Sequence, residues 1–175
     1  MAPAQAVSRS QKREMWRDAI DAATVEVFEA LLGVQVEPIA ERCQISELTA
    51  MVGFAGGMRG VMSLSCGKET AVAMTMKMLQ ADYSSSESQV WDAVGEICNV
   101  LAGRFKNGPP RMAENCMLSV PTVITGSNYC QHPLAGAGTV ERCFRLGDSV
   151  ILIALIVHDT TLPGTSCPTP ADLGR

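Results

Sequence analysis

The chain has 175 residues, 47% of them hydrophobic and 18% charged, with a formal net charge of −4. That length and balance fit one compact domain with a substantial core, and argue against disorder throughout. The acidic charge, with no basic run beyond Arg9 and Lys12-Arg13, offers no electrostatic footprint for nucleic acid or for a membrane surface.

Residues 1–10 are small and polar and read as a flexible N-terminus without the apolar stretch of a secretory signal, so a cytoplasmic protein is expected. Ser10 to Leu32 predicts a first helix. Met15, Ala19, Ala23, Val27 and Leu31 share one stripe, Trp16, Ile20, Phe28 and Leu32 widen it, and Gly33 ends it. So broad a stripe can meet both another helix and a sheet, with Trp16 and Phe28 as core. Gln35-Val36-Glu37 is a short strand signal. Ile45 to Phe54 is a longer one, with Leu48, Ala50, Val52 and Phe54 alternating. Ala55-Gly56-Gly57 then turns the chain so that Arg59 to Leu64 returns.

Lys68 to Leu79 predicts a second helix whose stripe is Ala71, Met74 and Met78, with the methionines as adaptable core. Ser84 to Asn107 predicts a third and longer one. Serines stand at its start, Glu87 and Asp92 near its positive end, Arg104 and Lys106 near its negative end, and Asn107-Gly108-Pro109-Pro110 stops it.

Met117 to Thr125 reads as a strand interrupted by Pro121, which places it at a sheet edge or bends it there. A loop follows from Ser127 to Gly138. Two strands, Thr139 to Leu146 and Ser149 to His158, are joined by the tight Gly147-Asp148 turn. The second is apolar on both faces but far too short to span a bilayer, so a strand covered on both sides is expected. Residues 11–158 thus read as a single domain and residues 159–175 as a mobile tail. The order of elements predicts an α/β fold of the α+β type, with helices packed on a mixed or antiparallel sheet.

The seven cysteines show no Cys-x-x-Cys spacing, and His132 and His158 lie far apart, so no metal site is expected. Most of the cysteines flank apolar runs and read as small buried hydrophobes.

Chemistry concentrates on the third helix. Val90, Val94, Ile97, Leu101 and Phe105, flanked by Trp91 and Cys98, form the face to be buried. Asp92, Glu96, Asn99 and Gly103 fall in a narrow opposite sector, so a carboxylate and a carboxamide stand side by side with a second carboxylate one turn earlier. Gly95 and Gly103 bracket them. Glycine costs about 0.8–1 kcal/mol in a helix interior, so two here suggest a face that something approaches closely. No hydroxyl or thiol nucleophile has an adjacent histidine base, and an exposed helix face offers no means of raising one carboxylate's pKa for acid/base work.

Asp92-x-x-x-Glu96-x-x-Asn99, followed by Leu118-Ser119-Val120-Pro121-Thr122-Val123-Ile124, resembles the CheX branch of the CheC/CheX chemotaxis phosphatases. The signature of that family is an Asp or Ser, then Glu-x-x-Asn, then a proline after the helix. The interval from Asn99 to Pro121 is one residue shorter than in that pattern. CheC-type members carry a second Glu-x-x-Asn on the first helix; here Val25-Glu26-Val27-Phe28-Glu29 holds no Asn, which resembles the single-motif CheX kind.

The resemblance implies a CheC-like fold and a homodimer joined through its sheets, for which the apolar strand from Ser149 to His158 could serve. It also implies hydrolysis of the phosphoaspartate of a CheY-like receiver domain. Asn99 would orient the attacking water and Glu96 would dock on the receiver's lysine, with Asp92 tuning docking and Gly95 and Gly103 giving clearance. The chain would need no cofactor of its own, since the receiver brings a divalent metal such as Mg. Two alternatives stand beside this one: a non-catalytic receiver-binding module, and a sheet-dimer interaction module in which Glu96 and Asn99 are solvated bystanders.

Overall fold

The computed structural model describes residues 9–43, 45, 47–80, 86–108, 115–127, 129, 131 and 138–158. The expectations for residues 1–8 and 159–175, for Ser84, for Pro109 and Pro110, for Cys130, His132 and Cys167, and for most of the 127–138 loop lie outside the described residues.

The described elements are α1 (Arg9–Leu32), β1 (Glu37–Ile39), β2 (Leu48–Gly56), β3 (Gly60–Cys66), α2 (Lys68–Leu79), α3 (Glu87–Lys106), β4 (Cys116–Leu118), β5 (Thr122–Thr125), β6 (Gly138–Leu146) and β7 (Ser149–Val157). Every pairing is antiparallel, in the order β1-β6-β7-β3-β2-β4, with β5 also on β2. The sheet is therefore antiparallel rather than mixed.

Alternation decides which face is covered. Leu48, Ala50, Val52 and Phe54 of β2, Met62 and Leu64 of β3, and Ile151, Ile153 and Leu155 of β7 are all buried in the cluster that also holds the apolar stripes of the helices. Because strand side chains alternate, these residues share one face, and the helices lie on it. At the centre is α3, packed against α1 and α2 and across β2 and β3. Phe105 meets Phe54 edge to face, ring centroids 6.0 Å apart.

The first helix turns slightly from its expected face. Met15 is 43% exposed, and the buried line is Trp16, Ile20, Ala23, Thr24, Val27, Phe28 and Leu32. Thr24 is tolerated there because its hydroxyl donates to Ile20 O at 2.7 Å within the same helix. Arg142 of β6 reaches α1 through paired bonds to Asp21, Nε to Oδ1 at 2.6 Å, which fixes α1 over that side of the sheet.

Two strands begin later than expected, β1 at Glu37 and β2 at Leu48, and the broken strand is two short ones flanking Pro121. Gly56 sits at φ +107°, and a Cβ there would collide with Asn115 O, so only glycine carries β2 past β4. The hairpin at Gly147-Asp148 forms as read, with Gly147 at φ +59° and Leu146 paired to Ser149.

The apolar β7 lies between β6 and β3, inside the sheet. It has no free edge to offer a second copy, so a sheet-edge joint through Ser149 to His158 does not fit this topology. Among the described residues the free edges are those of β1 and of β4 with β5.

Cys43 and Cys143 form a disulfide across a sequence separation of 100, with Cα atoms 6.2 Å apart. This corrects, for these two, the reading of most of the cysteines as small buried hydrophobes. The cause is topological: Ile39 pairs with Cys143 in the β1 to β6 register, so the chain leaving β1 is delivered beside that thiol. Cys66, Cys98 and Cys116 are buried free thiols.

Candidate functional site

The rod that carries the polar sector is anchored at its start. Ser86 Oγ accepts from Gln89 N while Gln89 Oε1 accepts from Ser86 N at 2.9 Å, a complete capping box. Its other end is tied at Arg104, whose Nε donates to Glu26 of α1 at 2.6 Å, and at Lys106, whose Nζ donates to Cys116 O at 3.2 Å. In α1, at the stretch where a second motif would fall, Glu26 is thus bound to α3 by an ion pair.

On this rod Asp92 and Glu96 are exposed and Asn99 is half-buried. Asn99 Nδ2 donates to Glu96 Oε2 at 3.4 Å, a long bond. An ionised carboxylate can only accept, so the amide presents its N–H side to Glu96 and leaves Oδ1 free to accept from another donor. The expected trio therefore lies along one exposed line.

The glycines have a different neighbour from the one expected. Gly95 is buried, and a Cβ built on it would lie 3.5 Å from Pro121 Cβ and 3.5 Å from Val123 Cγ2. Gly103 is half-buried, with Leu118 Cδ1 at 3.9 Å. The groups that face these glycines are thus side chains of the chain's own edge strand, Pro121, Val123 and Leu118. Trp91, expected on the buried face, is 40% exposed. It lies one turn before Gly95, the residue that faces Pro121 and Val123 of the edge.

That edge strand is bulged. Phe54 pairs with Leu118 and Met51 with Thr122, so Val52 and Gly53 oppose Ser119, Val120 and Pro121, one residue more. Pro121 has no N–H to give to the ladder, which is the local reason for the break. Ser119 holds the bulge in place: its N donates to Gly53 O at 2.9 Å, its Oγ accepts from Gly53 N at 2.8 Å, and its hydroxyl donates to Val120 O at 2.9 Å. With Leu118 at Gly103 and Pro121 at Gly95, the bulge passes the turn of α3 that carries Asn99. Sequence reasoning found the proline but missed Ser119, for which a polar side chain just before the break was the available signal.

Among the described residues no three His, Cys, Asp or Glu side chains converge as metal ligands, and no helix is long and apolar enough to cross a membrane. A cavity of about 350 Å³ lies elsewhere, lined by Leu32, Val34, Thr70, Met74, Lys77 and Leu146. No residue of α3 borders it, so it is separate from the polar sector. Burial pushes the thiols of Cys66 and Cys98 up to about 12, which makes them poor nucleophiles.

Three helices laid over one face of an antiparallel sheet, in this connectivity, define a CheC-like fold. The family model for chemotaxis phosphatase CheX matches residues 48–142 of the 175, and the chain belongs to that family. It is 26% identical over 80 residues to the CheY-P phosphatase CheX of Thermotoga maritima, a match covering 45% of this chain and 52% of that one. The chain thus spans about half the length of this curated relative.

Among solved structures, CheX of Desulfovibrio desulfuricans superposes with a TM-score of 0.70 at 21% identity, over 81% of this chain and 98% of that one. The CheX–CheY–BeF3–Mg complex from Borrelia burgdorferi gives 0.65 at 19% identity, over 82% and 98%. At these identities the likeness is one of fold.

Proposed function

We propose that this protein hydrolyses the phosphoaspartate of a CheY-like receiver domain, and that Glu96 and Asn99 are the residues it inserts into the receiver's site. The observation that carries the reading is their adjacency on the exposed face of a capped helix, in a member of the CheX family.

Hydrolysis of an acyl phosphate needs an in-line water and stabilised charge more than it needs a nucleophile on the catalyst. A receiver brings its own divalent metal and lysine, so this chain needs no cofactor and no deep pocket. Water attacks phosphorus, the bond to the aspartyl oxygen breaks, and the receiver's carboxylate is regenerated as inorganic phosphate leaves. Asn99 suits the orienting role because its amide stays neutral beside the phosphoryl oxygens and its Oδ1 can accept from the water. Glu96 meets the receiver's lysine in a charge-assisted contact that sets register. Asp92, one turn earlier, adds negative charge to the same approach.

The test is phosphate release from phosphorylated CheY-like receivers of the source organism, with binding measured in parallel. Wild type is expected to accelerate release. Asn99→Ala should lose about a hundredfold of that acceleration, equivalent to about 2.7 kcal/mol of barrier, while still binding. Glu96→Ala should weaken both. Binding by the wild type without acceleration would leave a receiver-binding module, and acceleration that survives Asn99→Ala would assign the water to another group.

A further inference from the structure

Val120 is 84% exposed and Trp91 40% exposed, and neither is needed by the core. We infer that Trp91, Pro121 and Val120 form an apolar ridge that docks the receiver domain, alongside the polar line of Asp92, Glu96 and Asn99. The inference rests on the receiver reading above and adds to it the surface that sets affinity.

The bulge is what creates the ridge. An unbroken strand would send alternate side chains into the core and onto the open sheet face. The extra residue between Leu118 and Thr122 instead leaves Val120 projecting. Ser119 ties this segment to Gly53 through both of its backbone-facing bonds. The apolar side chain is therefore held in place before any partner arrives, and binding need not order it. Trp91 stands on a capped helix, whose backbone is likewise held. Rigid aromatic and apolar groups surrounded by polar ones are the usual anchors of protein interfaces.

Position selects the occupant. With Pro121 at Gly95 and Leu118 at Gly103, the Ser119–Pro121 segment runs beside the stretch of α3 that bears Asn99, so a partner that brings a phosphorylated side chain to Asn99 approaches next to Val120. Charge agrees. Glu87, Asp92 and Glu96 are exposed on α3, while Arg104 is engaged by Glu26. Among the described residues the ridge is thus bordered by carboxylates with no basic side chain paired to them, which complements the lysine beside a receiver's phosphorylation site.

The experiment measures phosphate release against receiver concentration for Val120→Asp, Trp91→Ala and Met117→Asp. Binding to the same receiver loaded with BeF3 and Mg, and thermal midpoints, are recorded for each variant. Met117 is the control, since it is 70% exposed on the same edge but alternates with the inward Leu118, so it faces the other side of the sheet.

Val120→Asp is expected to raise KM about tenfold with kcat unchanged, and Trp91→Ala to raise it several-fold. Met117→Asp should leave both alone. If Val120→Asp lowers the thermal midpoint, Val120→Ser provides the milder change and should show the same split. The inference is overturned if wild type turns over receiver and KM stays put in both ridge variants, an outcome that leaves the function reading standing. It is also overturned if Val120→Asp changes self-association and leaves KM alone, which would give the ridge to a second copy of the chain. No turnover by wild type would remove the function reading and the ridge together.

Discussion

Gly95 of α3 and Pro121 of the bulged edge stand at ordinary contact distance, since a Cβ added to Gly95 would lie 3.5 Å from Pro121 Cβ. The chain's own strand crosses the helix at this point and leaves room for a methyl group. Gly95→Ala fits that space and removes the backbone entropy cost, so it should be neutral or stabilising by up to about 1 kcal/mol. Gly95→Leu must push Pro121 and Val123 away, and should cost about 1–3 kcal/mol and disturb the bulge beside Asn99. Urea midpoints of the two variants decide this; a clear loss of stability in Gly95→Ala would mean that the helix and strand lie closer than described.

The bond between Cys43 and Cys143 closes a sequence separation of 100 and ties the segment after β1 to β6. Constraining the unfolded chain in this way typically stabilises by about 2–4 kcal/mol. Reduction should therefore lower the urea midpoint of the air-oxidised wild type and leave Cys43→Ser unchanged. Peptide mapping without reductant should recover the Cys43 peptide joined to the Cys143 peptide. Recovery of both as free thiols from oxidised protein would remove the crosslink. In a reducing compartment the dithiol form prevails, since glutathione keeps most thiols reduced there.

Local signals were legible in the sequence and long-range ones were not. Periodicity alone placed α2 from Lys68 to Leu79 and oriented α3, because burial of one face writes a period into the chain. Pro121 announced the break in the edge strand because it lacks a donor. Periodicity gives an azimuth but not the neighbour found there, so Gly95 pointed to a close approach without naming the chain's own Pro121. Trp91 was placed on the buried face because nothing local shows where the sheet ends. The Cys43–Cys143 pair and the interior position of β7 depend on strand order, which a single sequence does not encode locally. For the polar sector, spacing delivered Asp92, Glu96 and Asn99 to one line, and the Asn99 to Glu96 bond adds the orientation of the amide.

Ser86 and Gln89 satisfy each other's backbone donors at the start of α3. Without the Ser86 hydroxyl an early N–H loses its partner, so Ser86→Ala should cost about 1 kcal/mol. Because the cap lies nearly three turns from Glu96, a loss of stability with unaltered receiver KM is expected. A change in KM at unchanged stability would instead place Ser86 in the docking surface. Urea unfolding and the phosphate-release assay together separate the two.

Burial holds the thiols of Cys66 and Cys98 protonated up to about 12, against about 9 for an ordinary thiol, and at Cys66 the Glu47 carboxylate adds to the effect. The folded pKa is raised above the unfolded one, so below about 9 both states keep their protons and these groups impose no pH dependence. Between about 9 and about 12 the unfolded chain releases protons that the folded chain retains, and stability falls as pH rises. The slope should be on the order of 1 kcal/mol per pH unit for each thiol. Urea midpoints taken across that window should drop steadily in the wild type and less steeply in Cys98→Ala. Iodoacetamide at pH 8 should label neither thiol until urea unfolds the chain. Rapid labelling of Cys98 in the folded protein would show that the sheet face beneath α3 opens to solvent, and with it the support on which the Glu96 and Asn99 pair stands.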